Sequence, residues 1–102
     1  GRAMEGVVRG AGFRIIRDLP GHGVGRKLHE PPSVPGFYNP RLKDVLKEGM
    51  VLTIEPFVST RASRIVTERD GWTLKTPDGS PAAQFEHTVI ITKGAPILIT
   101  NV

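Results

Sequence analysis

Cysteine is absent from this 102-residue sequence. Disulfide bonds and thiolate ligands are therefore excluded, and any metal site must be built from histidine and carboxylate side chains. The lack of cysteine fits a reducing compartment, and we expect a cytoplasmic location. Long apolar runs are absent too. None exceeds three residues, as in Val89-Ile90-Ile91, whereas a membrane-spanning helix needs about 20, so we expect no membrane partner.

Aromatic residues make up only 6% of the chain, and the net charge is a moderate +4. The basic residues are scattered, without the interleaved aromatic side chains on which single-stranded nucleic acids stack. We interpret the charge as a solvated basic surface and expect no specific nucleic-acid partner. A nucleic-acid-binding domain is the alternative, and its affinity would fall steeply with salt.

Apolar side chains at helical spacing predict two helices. The first ends at Gly12, which can adopt a left-handed conformation, and its apolar stripe is Met4, Val7, Val8 and Ala11. Residues 20–36, with four glycines and four prolines, are predicted to be mostly irregular. Asn39 can then cap a short helix that ends at Gly49, with three inward-facing side chains: Leu42, Val45 and Leu46.

The rest of the sequence predicts β-structure. Long strands are expected over 50–58 and 82–92, shorter ones over 13–17 and 97–99, and a hairpin around Asp70-Gly71. The expected fold class is α+β, with an antiparallel sheet and one or two helices against one face.

Two glutamates stand alone in these apolar strand sequences. Glu55 has no basic residue within five positions, and His87, beside Glu86, would point to the opposite face of a strand. Ionised carboxylates are rarely buried unless they are paired or bind a cation. The two glutamates are therefore candidate metal ligands, with partly exposed carboxylates and distant Arg or Lys partners as the alternative. Pro56 suggests a strand edge or bulge, and Gln84 and Thr88 are candidate groups for holding Glu86.

His22 lies in the glycine-rich segment Gly21-His22-Gly23-Val24-Gly25. A dinucleotide fingerprint would need glycine in place of Arg26 and a following helix, which the nearby prolines forbid. A steric interpretation is better, because glycines beside His22 let the backbone approach closely and leave the imidazole exposed to a site. His29, seven positions later, could orient a substrate or stabilise charge.

Four motifs follow one another over nearly the whole chain. They are the segment from Gly21-His22-Gly23 to His29-Glu30-Pro31-Pro32, then Gly49 to Pro56 with Thr53-Ile54-Glu55-Pro56, then Asp70-Gly71-Trp72-Thr73, and finally Gln84-Phe85-Glu86-His87-Thr88. In kind and in order, these motifs resemble those of the type I, bacterial-type methionine aminopeptidases. The related prolidases share the first two segments but end differently, so a prolidase-like metallopeptidase is an alternative.

This resemblance implies half of a pita-bread fold and an enzyme that removes the N-terminal methionine of nascent proteins. It implies His22, Glu55 and Glu86 as metal ligands, Glu55 also as the general base, and His29 as a catalytic, substrate-contacting residue. Trp72 would line the substrate pocket. The cofactors would be two divalent ions, of Co, Mn or Fe, with Zn also allowed by the sulfur-free ligand set. Expected partners are a peptide N-terminus and the ribosome.

The family's two aspartate ligands and a further histidine have no counterpart in this sequence. The chain also begins at Gly1, inside a predicted helix and without an initiator methionine. We therefore expect residues 1–102 to be the C-terminal half of a metalloaminopeptidase catalytic domain, inactive without the missing N-terminal half. A non-catalytic interaction module that keeps the half-fold is the other alternative.

Overall fold

Frequent prolines and glycines divide this chain into short strands, which pair into three antiparallel sheets. The computed structural model describes residues 1–101. The elements in chain order are α1 (Arg2–Gly10), β1 (Arg14–Ile15), β2 (Gly21–Gly23), β3 (Glu30–Val34), β4 (Val51–Ile54), β5 (Phe57–Ser59), β6 (Val66–Thr67), β7 (Leu74–Lys75), β8 (Ala82–Gln84), β9 (His87–Ile90) and β10 (Ile97–Leu98). No helix in this described part of the chain is long and apolar enough to cross a membrane.

Helix α1 confirms the first helix prediction. It ends where expected, with Gly12 at φ +85°, and the Phe13 N–H donates to the Val8 carbonyl across this turn. The helix lies beside β1, and the Glu5 carboxylate accepts a hydrogen bond from the Tyr38 N–H at 2.9 Å. These contacts hold a nine-residue helix that would be marginal alone.

The larger sheet has the strand order β10-β9-β4-β2-β3. Its centre is the pairing of β4 with β9, in which Leu52 lies opposite Val89. Leu52 is 0% exposed and Val89 is also buried. The three-stranded sheet, β1-β5-β8, buries Ile15 and carries a buried Ser59–Ser80 hydroxyl pair, 2.8 Å apart, at the end of its central strand β5.

The two predicted long strands are each broken in two. Strands β4 and β5 are separated by Glu55-Pro56, and strands β8 and β9 by Phe85-Glu86. The breaks face each other, because Ile54 pairs with His87 on one side and Phe57 pairs with Gln84 on the other. Proline has no N–H for the ladder, so the first segment changes sheet at Pro56. The second segment is paired with it on both sides of the break and therefore changes sheet at the same place.

The predicted helix over 39–49 is wrong. The described residues there form two separate turns, closed by the Leu42 N–H on the Asn39 carbonyl and by the Met50 N–H on the Lys47 carbonyl, with irregular chain between them. All three predicted inward-facing side chains are exposed, and Val45 is 69% exposed. An apolar stripe stabilises a short helix only where it can pack against something.

The prediction for residues 20–36 is also wrong in part, since β2 and β3 lie within this segment. Strand β3 is at the edge of its sheet, where only one side of the strand needs ladder donors. Its prolines, Pro31 and Pro32, are therefore tolerated. The hairpin prediction is confirmed, since β6 pairs with β7 around the Asp70-Gly71 turn.

Candidate metal centre

His22 sits on β2, between β3 and β4, and its neighbouring glycines make this close packing possible. A Cβ on Gly21 would lie 2.4 Å from the Thr53 carbonyl oxygen, and one on Gly23 would lie 2.2 Å from the Pro31 carbonyl oxygen. Cβ atoms essentially never approach backbone oxygens so closely. The expected close backbone approach beside His22 is therefore confirmed, whereas the imidazole is largely buried, with only 15% of the side chain exposed.

His22 and Glu55 are in contact. The His22 Nε2 lies 3.1 Å from Glu55 Oε1, and both side chains are largely buried. The other ring nitrogen, Nδ1, lies 2.9 Å from the Gly23 carbonyl oxygen, which can only accept a hydrogen bond. The Gly23 carbonyl therefore favours a proton on Nδ1 and directs Nε2 towards the carboxylate.

Thr53 joins these two residues through its hydroxyl group. The hydroxyl accepts a hydrogen bond from the His22 backbone N–H at 3.0 Å and donates one to Glu55 Oε1 at 2.7 Å. Sequence reasoning proposed Gln84 and Thr88 as supporting groups and missed Thr53. The signal was present, since Thr53 precedes Glu55 by two positions on a strand and so shares its face.

His29 lies beside His22, with ring centroids 4.1 Å apart and a 44° angle between the ring planes. The two rings line one open cleft, together with Pro20, Pro31 and Ser33. The structure thus brings His29 next to His22, at one side of the His22–Glu55 pair.

Glu86 lies across the sheet junction from Glu55. In the register that places Ile54 opposite His87 and Phe57 opposite Gln84, Glu55 falls opposite Glu86. The Glu86 side chain is exposed and accepts a hydrogen bond from Gln84 Nε2 at 3.2 Å. Gln84 therefore supports Glu86 as predicted, whereas the Thr88 backbone N–H is bonded to Thr100 Oγ1.

Trp72 lies in the turn of the β6–β7 hairpin and is 86% exposed. The neighbouring Asp70 carboxylate accepts its backbone N–H at 2.9 Å. The hairpin pairs only within itself, as a separate two-stranded sheet among the described residues, so a role for Trp72 in a substrate pocket stays a prediction.

The chemistry of the His22–Glu55 pair fits a divalent cation. A neutral imidazole has one N–H, and in His22 this group donates from Nδ1 to the Gly23 carbonyl. The lone pair on Nε2 then faces the Glu55 carboxylate oxygen. Two ligand atoms that each lie about 2.1 Å from one ion, with a ligand–metal–ligand angle of roughly 90–110°, are about 3.0–3.4 Å apart. The observed separation of His22 Nε2 and Glu55 Oε1 is 3.1 Å. Within residues 1–101, however, no three His, Cys, Asp or Glu side chains stand together as a complete metal site.

Comparison with known proteins defines the class. The model of metallopeptidase family M24 matches residues 1–93, and the chain therefore belongs to this family. The sequence is 49% identical over 102 residues to methionine aminopeptidase 2 of Bacillus subtilis, covering 99% of this chain and 41% of that protein. It is 46% identical over 106 residues to the methionine aminopeptidase of Aquifex aeolicus, covering 98% of this chain and 40% of that protein.

Solved structures agree with the sequence relatives. The methionine aminopeptidase of Thermotoga maritima superposes with a TM-score of 0.90 at 46% identity, covering 97% of this chain and 40% of that one. That of Rickettsia prowazekii gives 0.86 at 35% identity, covering 94% and 39%. The predicted fold class, an α+β half of the pita-bread fold, is confirmed. The chain spans about two fifths of the length of these relatives.

Proposed function

We propose that this chain is part of a metalloaminopeptidase that removes the N-terminal methionine from proteins. The observation that carries the proposal is the His22–Glu55 pair, held at ligand spacing beside His29 in a chain related throughout to methionine aminopeptidases. A cytoplasmic location and contact with the ribosome follow from the resemblance and stay predictions.

In this proposal His22 Nε2 and the carboxylates of Glu55 and Glu86 hold the metal, with the remaining ligands supplied by the rest of the domain. The sulfur-free set suits Mn, Fe or Co, and also Zn. Bound there, divalent ions would act as Lewis acids towards the scissile carbonyl and lower the pKa of water.

The chain's own residues would position and deprotonate the reactants. Glu55 accepts a proton from the attacking water while the oxygen of that water bonds to the carbonyl carbon. The carbon–nitrogen bond then breaks, and the same proton passes to the leaving amine. His29, at the mouth of the cleft, would donate a hydrogen bond to the carbonyl oxygen as negative charge develops there.

The surface area supports the view that the chain belongs to a larger domain. Its accessible surface is 7396 Å², whereas a folded monomer of 11.1 kDa exposes about 5,700 Å². The difference is roughly twice the 800 Å² or so that one partner buries in a standard interface. We therefore propose that the chain needs the rest of its domain for activity.

The test uses the whole parent protein loaded with Mn or Co. His22→Ala, Glu55→Gln and Glu86→Gln are each expected to lower the metal content and to reduce methionine release from a Met-Ala-Ser peptide at least 100-fold. The control is Glu48→Gln, which removes an exposed carboxylate paired with Lys93 and should leave both unchanged. A parent protein without bound metal and without methionine release would instead support the non-catalytic interaction module.

A further inference from the structure

Strands β2 and β4 depart from ordinary pairing at His22. The two strands are in register at Gly23 and Leu52, and the Val24 N–H donates to the Val51 carbonyl. At His22 the backbone N–H instead donates to a side chain, the Thr53 hydroxyl, at 3.0 Å. The backbone position of His22 therefore depends on a hydroxyl group rather than on a ladder carbonyl.

The Thr53 hydroxyl donates its single proton to Glu55. Thr53 Oγ1 lies 2.7 Å from Glu55 Oε1 and 3.4 Å from the His22 carbonyl oxygen, so the carboxylate is the better acceptor. Thr53 is only 2% exposed, and water cannot readily replace either bond. One buried hydroxyl thus fixes both the backbone of one candidate ligand and the carboxylate of the other.

We propose that Thr53 is a positioning residue that couples His22 to Glu55 and sets their separation for a divalent ion. This inference rests on the proposed metal site but assigns a role to a residue that is not a ligand. The hydroxyl is required in both of its capacities, as an acceptor towards His22 and as a donor towards Glu55. The methyl group of Thr53 takes part in neither bond.

The matched variants are Thr53→Val, which keeps the shape but removes the hydroxyl, and Thr53→Ser, which keeps the hydroxyl. In the whole parent protein, we expect Thr53→Val to weaken Mn²⁺ binding by about 10–100-fold in a chelator competition, as loss of a group supporting a ligand usually does. Thr53→Ser should stay within about threefold of the unchanged protein. Thr67→Val, on the exposed strand β6, is the control for a threonine-to-valine change.

A second readout needs no metal. Hydrogen exchange of the His22 N–H in the metal-free protein should be faster in Thr53→Val than in Thr53→Ser, because valine offers no acceptor. Unchanged Mn²⁺ affinity in Thr53→Val overturns the inference, and so does equal loss in Thr53→Val and Thr53→Ser. A parent protein that binds no Mn²⁺ even when unsubstituted overturns the proposed function itself, which separates the two failures.

Discussion

The glycines around His22 differ in what a side chain would meet. A Cβ on Gly23 would press on backbone oxygens of β3, whereas the nearest atoms to one on Gly25 belong to the Glu30 carboxylate, whose oxygens would lie at 2.5–2.6 Å. A flexible carboxylate can move aside, but a paired strand cannot do so without breaking its ladder. The two positions therefore tolerate alanine differently, although both belong to one glycine-rich motif.

We expect Gly23→Ala to destabilise the metal-free protein by about 1–3 kcal/mol, the usual cost of overpacking, and to weaken metal binding by displacing His22. Gly6→Ala is the control, since its Cβ would meet nothing within 4 Å on α1. It should stabilise the protein by about 0.5–1 kcal/mol. Thermal denaturation of both variants measures the difference, and a Gly23→Ala variant as stable as Gly6→Ala would contradict the packing described for β2.

Among single residues, those with a distinctive local pattern could be recognised from the sequence. His22 stands between glycines, and Glu55 stands in an apolar strand sequence. Both are unusual surroundings for an ionisable side chain. The sequence places Thr53 on the same face as Glu55, two positions away along the strand, but its contact with the His22 N–H, 31 positions away, cannot be read from the local pattern.

At the scale of elements, the Asp70 carboxylate closes the turn of the β6–β7 hairpin, alongside the Glu68–Lys75 ion pair and the hydrogen bond from the Glu68 N–H to the Thr73 carbonyl. Hydrogen bonds from the Thr73 hydroxyl first, and then from the backbone N–H groups of Trp72 and Thr73, lower the pKa of Asp70 below its ordinary 3.8. The charged form is therefore favoured in the folded hairpin. Its contribution to stability is fully present above pH 3.8 and is lost as the pH falls through the lower folded pKa.

The lowered pKa of Asp70 predicts that the hairpin turn loosens in acid. Trp72 is the sole tryptophan, so its fluorescence should report loosening of the turn below pH 3.8, and Asp70→Asn should remove that pH dependence. Asp44→Asn, outside the hairpin, serves as the control and should behave like the unsubstituted protein. The same acid transition in Asp70→Asn would show that another group loosens the turn.

Strand and helix predictions failed where distant contacts override the local pattern. The 50–58 and 82–92 segments were each predicted as one continuous strand, yet each changes sheet at its glutamate. Pro56 pointed to a break in the first run only. The break opposite it, at Phe85-Glu86, follows from pairing with a strand about 30 residues away and leaves no mark in the local sequence.

The helix predicted over 39–49 failed for a similar reason. Its apolar positions were correctly spaced, but in the described chain they lie exposed, without a surface to pack on. Helix α1, with a comparable stripe, buries none of its residues fully, but it lies beside β1 and its Glu5 carboxylate is bonded to the Tyr38 N–H. Spacing identifies a potential helix, and tertiary contacts decide whether it forms.

At the scale of the whole molecule, the buried core is small and the apolar surface is large. The buried apolar side chains among residues 1–101 are Ile15, Ile16, Leu52, Ala62 and Val89, while exposed ones include Leu28, Leu42, Val45, Leu46 and Phe85. Leu42 and Leu46 line one cavity with Met4 and Ile54, and exposed apolar side chains that lie together in this way mark an interaction site or an aggregation risk.

We therefore expect the isolated 102-residue chain to self-associate and to lack peptidase activity with added Mn or Co. Sedimentation velocity over a range of concentrations measures the first property, and methionine release measures the second. Replacing Val45 and Leu46 by serine should reduce the association without restoring activity. A monodisperse monomer at high concentration, or robust methionine release by the chain alone, would contradict this view of the molecule.

The central claim is that His22, Glu55 and Glu86 converge on one divalent-metal centre in the parent protein. Crystals of that protein loaded with Mn, measured at the Mn absorption edge, test it directly through the anomalous signal. We expect a peak within about 2.2 Å of His22 Nε2 and of oxygens from both glutamates. A loaded, active protein whose anomalous peaks lie away from these three side chains would contradict the claim.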